Sequence, residues 1–507
     1  MTCDSICRPQ RVGIIMHREF LRSVFRLLLL TLLFSGSAVY EATHVSAIYS
    51  SDVWWHLRTG IWILQSHSIP RTGLFSQFSN LPWIDSSWGY EVLLGAAYKV
   101  IGLRAIPILL MGLKVALAVV TFLLARAGGA NFCTAIVLSA VAQYAILGLQ
   151  PLPSVFSILL FAVELQLLVH SRRSGTVRSL FLLPLMFVLW ANLHIQFAAG
   201  VALLGLFLIA IYLEHLLSSL GVTWVSDPIL PLPLTKVGSV AVFSVLGTFA
   251  TPYSFHLFPA VFKTLYSDVS FQYFAEMRPM SFRRSQEFVL MLLVMAAFFA
   301  LGRRRSLDVF ELITLVTGTV LAFRIQRDAW LAVLPAIPIL ADGLNLERRG
   351  GESSNSMAPG WEQALAAVLA MTLFVAAALR LPDRNALMNK ISQSFPVKAC
   401  DFILENHLPQ PLFNAYSWGG FLTWYMPQYP VAVDGRVELY GDEILTMYFK
   451  VTGGSERLEV DPRLAGAGTL LLERQSAMAK ALTTLPKLSS QYRLLYSDDV
   501  ATVFVPQ

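Results

Sequence analysis

The chain is 507 residues long, 55% hydrophobic and only 14% charged, with a mean hydropathy of +0.60. Soluble domains average roughly 25% charged residues, so an ordinary soluble globular protein is excluded. The formal net charge is +6, but the basic residues gather at the ends of apolar runs, as the positive-inside bias expects. No stripe of Lys and Arg interleaved with aromatics marks a nucleic-acid partner. Cys3, Cys7, Cys133 and Cys400 show neither metal-ligand spacing nor a disulfide framework.

Residues 1–26 form a basic cytoplasmic tail carrying Arg8, Arg11, Arg18, Arg22 and Arg26, a bias that holds an N-terminus inside. The apolar run from Leu27 to Ile48 is too long for a signal-peptide core and lacks a clear cleavage site, so it reads as a retained anchor. An outward loop then spans 49–88, punctuated by Pro70, Gly73, Asn80 and Pro82. Loops of that length are often functional. Further spans are expected to begin near Tyr90, Ala105, Phe132, Pro153, Leu180, Phe197, Val237, Phe288, Val309, Trp330 and Trp361. Arg172-Arg173 with Arg178, Arg303-Arg304-Arg305 and Arg348-Arg349 mark cytoplasmic loops, and Glu347–Pro359 reads as a flexible one. The basic loops and the forward count disagree by one crossing. One helix is therefore mis-split, and Gly128-Gly129 and Pro151-Leu152-Pro153 place the error between Ala105 and His170. The basic loops set the C-terminal region outside.

The expected fold is an all-α polytopic membrane domain over 27–380, with about 11–13 transmembrane helices, followed by a small extracytoplasmic α/β domain over 381–507. In that domain Val431–Val433, Thr469–Leu472 and Val500–Val505 read as buried strands. Val397–Asn406, Asp442–Val451 and Ser476–Leu485 read as helices. The whole is expected in the inner, plasma membrane as a multi-pass protein.

Four clusters can carry chemistry. Ser51-Asp52-Val53-Trp54-Trp55-His56-Leu57-Arg58 puts an acid, two indoles, an imidazole and a guanidinium where the chain leaves the membrane. A carboxylate at that depth needs a partner. Asp52 can act as a general base or, with Asp85, hold a divalent cation. Trp54, Trp55, Trp83 and Trp88 offer faces for sugar rings, and His56 and Arg58 can meet a phosphate. The competing reading is an interfacial aromatic belt with Asp52 capping a helix. Asn192 and His194, with Gln196, interrupt an apolar helix pair and can bond a polar headgroup, or simply satisfy a turn. Arg324 and Arg327 lie between two apolar runs on the expected outer face, where positive-inside bias does not explain them, so a phosphate does; the rival is an Arg327–Asp328 pair. Asp434 and Arg436, after Gly419-Gly420, form an internal salt bridge or a polar ligand site.

The stretches SDVWWHLRTGIWILQSHSIPRTGLFSQFSNLPWIDSSWGYEVLL and FNAYSWGGFLTWYMPQYPVAVDGRVELYGDE, with the Asn-x-His turn between them, resemble the bacterial integral membrane glycosyltransferases of the GT-C fold. That superclass holds protein mannosyltransferases, oligosaccharyltransferases and aminoarabinose transferases. The chain is most similar to a group of largely uncharacterised integral membrane proteins within it. The resemblance implies that Asp52 is the catalytic acid of the first outward loop and that the donor is a sugar on a polyprenyl phosphate. It further implies that Arg324 and Arg327 meet the phosphate. Gly73 stands where sequences of this type often carry an Asp, so a second acid for a cation falls to Asp85.

The expected function is transfer of a hexose or pentose from a polyprenyl-phosphate-linked donor to an extracytoplasmic acceptor. The alternative is a non-catalytic protein of the same fold that binds lipid-linked glycans in envelope assembly.

Overall fold

The computed structural model describes residues 7–507 apart from 147, 223, 225–231, 266, 347–359, 456 and 458–459. The Glu347–Pro359 loop with Arg348-Arg349, and the side chains of the basic tail through Arg18, lie outside the described residues. The helices of the first half are α1 (Cys7–His44), α2 (Asp52–Ser66), α3 (Trp88–Ile101), α4 (Ala105–Ala127), α5 (Phe132–Ala145), α6 (Ser154–Ser174), α7 (Leu183–Leu193) and α8 (Phe197–Ser219). They continue with α9 (Leu234–Gly247), α10 (Leu257–Leu265), α11 (Asp268–Tyr273), α12 (Ser285–Gly302), α13 (Val309–Arg324), α14 (Trp330–Leu346) and α15 (Gly360–Leu379). Among the described residues, six segments are long and apolar enough to cross a membrane: Glu19–His44, Trp88–Ala127, Ser154–Ser174, Phe197–Ser219, Ser285–Gly302 and Gly360–Leu379. The chain is a multi-pass membrane protein.

The bundle has two chemically distinct ends. At one, Arg172 at the close of α6 reaches both Glu214 of α8 and Asp308 before α13 at 2.8 Å. Arg304 pairs with Glu311 and Asp342, and Ser23 and Arg26 of α1 reach Glu362 of α15. At the other, His194 after α7 meets Ser157 of α6, and Gln196 bonds Asp328 before α14 at 3.0 Å. α1 and α15 start at the first end and run together to the second, where the α/β domain follows.

The expected span near Tyr90 is not a crossing, and this corrects the parity. The apolar segment Trp88–Ala127 is 40 residues long, but Gly102 at φ +61° breaks it into α3 and α4. At 1.5 Å per residue α3 spans about 21 Å, short of a bilayer core of about 30 Å. It lies instead along α2. The two approach to backbone contact because both carry glycine at the crossing: a Cβ on Gly60 would sit 1.9 Å from the Glu91 carbonyl oxygen. The mis-split therefore lies before Ala105, not beyond it.

The soluble part adds α16 (Arg384–Ile391), α17 (Val397–Glu405), α18 (Gly419–Tyr425), α19 (Val437–Thr452), α20 (Pro462–Ala465) and α21 (Ala477–Thr484). Its sheet comprises β1 (Leu412–Asn414), β2 (Thr469–Glu473), β3 (Tyr492–Ser497) and β4 (Ala501–Pro506) in the order β1-β2-β4-β3. β1 and β2 are parallel and the other pairs antiparallel. A parallel pair needs a crossover, here α18 to α20. Two expected strands form, as β2 and β4. The third, Val431–Val433, does not, because its backbone is bonded by other partners. Val431 N–H donates to Phe75 O, Gln77 N–H donates to Val431 O, and Asn414 bridges Ala432 and Val433.

That displaced strand is the seam between soluble domain and outward loop. Gln77 donates to Leu412 O at 2.6 Å, and Tyr440 O–H to Ser76 at 3.2 Å. Arg436 grips the Asp434 carboxylate through Nε and Nη2, the latter at 2.6 Å. Its Nη1 donates to Leu74 O at 2.8 Å, and its guanidinium lies 4.9 Å over the Trp83 ring. Of the two readings of Asp434 and Arg436, the internal pair is the one formed. Removing one partner of a buried pair costs about 3–5 kcal/mol. Arg436→Met should lower the thermal midpoint of the detergent-solubilised protein far more than Arg474→Met, which removes only an exposed pair with Asp499.

Candidate active site

Asp52 opens α2, where its negative charge meets the positive end of the helix. It is half-buried, and the soluble domain forms its wall: a Cβ on Gly435 would lie 1.9 Å from Asp52 Oδ1, and one on Gly420 2.3 Å from Ser51 O. Burial pushes the Asp52 carboxyl up to about 7, with the charges of Glu276, Asp434 and Glu438 adding to the rise. The Trp55 indole N–H opposes it from nearby, although it completes no hydrogen bond of regular geometry.

The tryptophans are less free than the sequence suggested. Trp54 is fully buried, edge-on to Phe395 and Phe421 and against Trp424. It anchors the soluble domain and has no open face for a sugar. Trp55 stacks on His56 at 3.5 Å, and Trp83 is covered by Arg436. Trp88 Nε1 donates to Asn192 Oδ1 at 2.9 Å, and the Asn192 amide donates to Val188 O and Ala250 O. Asn192 thus staples α3, α7 and α9 together. Arg58 lies 4.8 Å over the Phe75 ring.

His56 and Asp85 sit deeper. His56 Nδ1 is 2.9 Å from Glu91 Oε1. Burial, with the charges of His194 and Arg436, holds the imidazole well below its ordinary range. Asp85 accepts from Ser87 N–H at 3.1 Å, and burial raises its carboxyl to about 6. The charge of Asp85 acts on Glu91, whereas the acids that act on Asp52 are Glu276, Asp434 and Glu438. Among the described residues no group of three or more His, Cys, Asp or Glu side chains is arranged for a metal ion. Gly73 could not carry the missing acid either, since a Cβ there would lie 2.5 Å from Phe78 O.

The rim comes from the distant clusters. His194 Nδ1 is 2.9 Å from Ser157 Oγ, and burial beside Arg327 pushes its ring down to about 3, so it is neutral. Arg327 is exposed and pairs with Glu276 at 3.4 Å. Its contact with Asp328, the rival partner in the sequence, is the longer one at 4.0 Å. Arg324 is exposed, 5.9 Å from the Phe271 ring. Glu276 joins rim to floor, since it pairs with Arg327 and its charge reaches Asp52. Beside the rim, Trp88, Asn192 and Pro252 head an apolar groove of about 810 Å³ whose wall includes the exposed Leu182, Leu185 and Leu189.

The structure is similar to the oligosaccharyltransferase of Archaeoglobus fulgidus tethered to an acceptor peptide. The TM-score is 0.52 at 12% identity, covering 96% of this chain and 74% of that one. The archaeal oligosaccharyltransferase AglB of the same organism, in complex with an inhibitory peptide and a dolichol-phosphate, gives the same values. ArnT from Cupriavidus metallidurans bound to undecaprenyl phosphate stands at 0.48 and 14%, covering 93% of this chain and 97% of that one. No family model and no curated protein matches the sequence. The chain has the GT-C fold.

Within that fold, sequence reasoning singled out Asp52, His56, His194 and Arg327, which gather around one region. It gave no role to Glu276, Gly435 or Ser157. Gly435 is the contact between wall and carboxylate, and Gly420 the contact with the Ser51 backbone before it. Raising a carboxyl from 3.8 to about 7 makes its ionised form a burden on the folded state. That burden is absent below about pH 4 and complete above about pH 8. Asp52→Asn should therefore raise the unfolding midpoint at mildly alkaline pH and leave it unchanged in acid, read by thermal scans across pH.

Proposed function

We propose that the protein is an inverting membrane glycosyltransferase, moving a sugar from a polyprenyl-phosphate-linked donor to an acceptor at the face that bears the soluble domain. The observation that carries this reading is Asp52 itself, a half-buried carboxyl at the start of α2 raised to about 7, with Glu276 standing between it and the exposed Arg327. A general base works best when its pKa lies near the working pH. Asp52 would take the proton of the acceptor O–H or N–H. The freed lone pair would attack the anomeric carbon, and the bond from that carbon to the phosphate oxygen would break. Arg324 and Arg327 would hold the charge on the departing polyprenyl phosphate. The exposed Arg327–Glu276 pair is the kind worth little by itself, so a phosphate can take the place of Glu276. The groove headed by Trp88 and Asn192 is apolar and long-walled, as an isoprenoid chain requires. That dolichol-phosphate was bound by AglB supports the same donor class. We place the protein in the plasma membrane with the soluble domain outside, on the basic residues at the opposite end of the bundle.

Gly73 and its closed surroundings favour a second reading. In it the protein holds a lipid-linked glycan without transferring it, since no second acid can join Asp52 from that turn. Binding of radiolabelled polyprenyl-phosphate sugar by membranes that release no free polyprenyl phosphate would favour it.

Loss of a general base typically costs about 10²–10⁴-fold. Asp52→Asn should reduce sugar transfer from polyprenyl-linked donor by that order while leaving donor binding intact. Unchanged turnover would sink the assignment. The wild-type rate should rise with pH through about 7, because the ionised carboxylate is the active form. Gly435→Ala should match the Asp52 variant in turnover, because the new methyl occupies the carboxylate's place. A fully active Gly435→Ala protein would show that the wall is not where it is drawn.

A further inference from the structure

A second crevice opens at the basic end of the bundle, away from Asp52. Its volume is about 480 Å³, and α1, α4, α5, α6 and α15 all line it. Arg126 in the last turn of α4 and His170 near the close of α6 stand at its mouth. Phe122, about one turn deeper than Arg126, lies edge-on between Phe34 and Phe132 at 5.9 and 6.3 Å. Leu30 closes the α1 side, and the exposed Leu123 opens the crevice sideways. The crevice is thus polar at the helix ends and apolar a turn further in. None of the described residues that line it is acidic. The other arginines of this end are paired: Arg172 with Glu214 and Asp308, Arg173 with Asp342, and Arg304 with Glu311 and Asp342. Arg126 donates to Ala130 O across the turn between α4 and α5, and forms no ion pair with any described residue. That bond holds the guanidinium in place. So does the seat of the turn on α14, where a Cβ on Gly128 would lie 2.5 Å from Pro338 Cα. The Arg26 guanidinium, paired with Glu362, borders the crevice 6.0 Å over the Phe132 ring.

We infer that this crevice binds one anionic phospholipid of the leaflet at the basic end, with its phosphate on Arg126 and His170 and an acyl chain along Phe122 and Phe132. Lipid tails are as apolar as the wall, so a chain by itself gains little by entering. The headgroup therefore decides the occupant. A guanidinium fork meets a phosphate by two-point contact, and basic pockets between membrane helices suit anionic headgroups. A zwitterionic headgroup brings an ammonium as well, which finds no acid in the lining. The place matters to the fold. Leu30, Leu33, Phe132, Ile136 and Ala366 form a small apolar cluster of α1, α5 and α15, separate from the main core that holds Leu124, Ala125 and Leu168. The crevice lies at the seam between the two. A lipid there braces α1 and α15, which lead to Asp52 and to the soluble domain at the opposite end. The inference does not depend on sugar transfer.

The test uses the full chain in detergent, stripped of lipid and supplied with phosphatidylglycerol or phosphatidylethanolamine of identical chains, read by native mass spectrometry. The wild type should retain one phosphatidylglycerol about 10-fold more tightly than phosphatidylethanolamine, the scale of one charge-assisted contact. Arg126→Gln keeps an N–H for Ala130 O but removes the charge, and should lose the preference. Arg126→Lys should keep it, and Arg474→Gln on the soluble domain should change nothing. Equal retention of the two lipids by the wild type, or an undiminished preference in Arg126→Gln, overturns the inference. So does displacement of the bound lipid by inorganic phosphate, which would mark a free-phosphate site, or by an equal amount of polyprenyl phosphate, which would assign the crevice to that carrier. A measurement on the unaltered chain stands beside the variants. In nanodiscs, a photoactivatable phosphatidylglycerol should label residues 122–132 and 166–170, and labelling found only elsewhere on the membrane belt likewise overturns the inference.

Discussion

The buried Asp434–Arg436 pair is the constraint on which the rest of the site depends. Taking two charges out of water is expensive and is offset only when every donor and acceptor finds a partner. Arg436 meets that condition with the Asp434 carboxylate, the Leu74 carbonyl and the Trp83 ring. Those three partners belong to the soluble domain and to the outward loop. The pair can therefore be satisfied only when the two are docked in one register. Docked so, the chain between its members passes directly over Asp52, and only glycine at 435 leaves room for the carboxylate.

The same docking creates the electrostatics. Asp52, Asp85, Glu91 and Glu438 are enclosed together, while the guanidinium nearest them is committed to Asp434. A chamber with more acids than free cations must hold protons, since unpaired buried carboxylates are too costly. That is why the Asp52 and Asp85 carboxyls titrate high, whereas the imidazoles of His56 and His194 stay neutral because burial and neighbouring positive charges oppose their protonation. Arg324 and Arg327, by contrast, are exposed on the rim.

The membrane bundle separates this chemistry from its own anchoring. Its opposite end is laced by Arg172, Glu214 and Asp308 and by Arg304, Glu311 and Asp342. These pairs join the ends of α6, α8, α12, α13 and α14, so the helices that deliver His194 and Arg327 are fixed at a distance from the site. Rigid elements position functional groups more tightly than loops do. Here the loop carrying Asp52 becomes rigid only through the soluble domain.

The sequence alone determined the membrane class, nearly every helix of the bundle and the change of composition near residue 381, and it drew attention to Asp52. Each is written locally, in apolar run length, turn residues and one crowded motif. It misread α3 as a crossing because hydropathy does not distinguish a helix that spans a bilayer from one buried against α2. It misread Val431–Val433 as a sheet strand because an extended apolar run does not reveal its partner, which is the loop at Phe75 and Gln77. Trp54 looked available for a sugar because aromatic type says nothing about which face is covered. Only the tertiary structure decided that Gly435 abuts Asp52 and that Arg327 meets Glu276. Those contacts join residues dozens to hundreds of positions apart, and their energies depend on burial that exists only once the two domains close on each other.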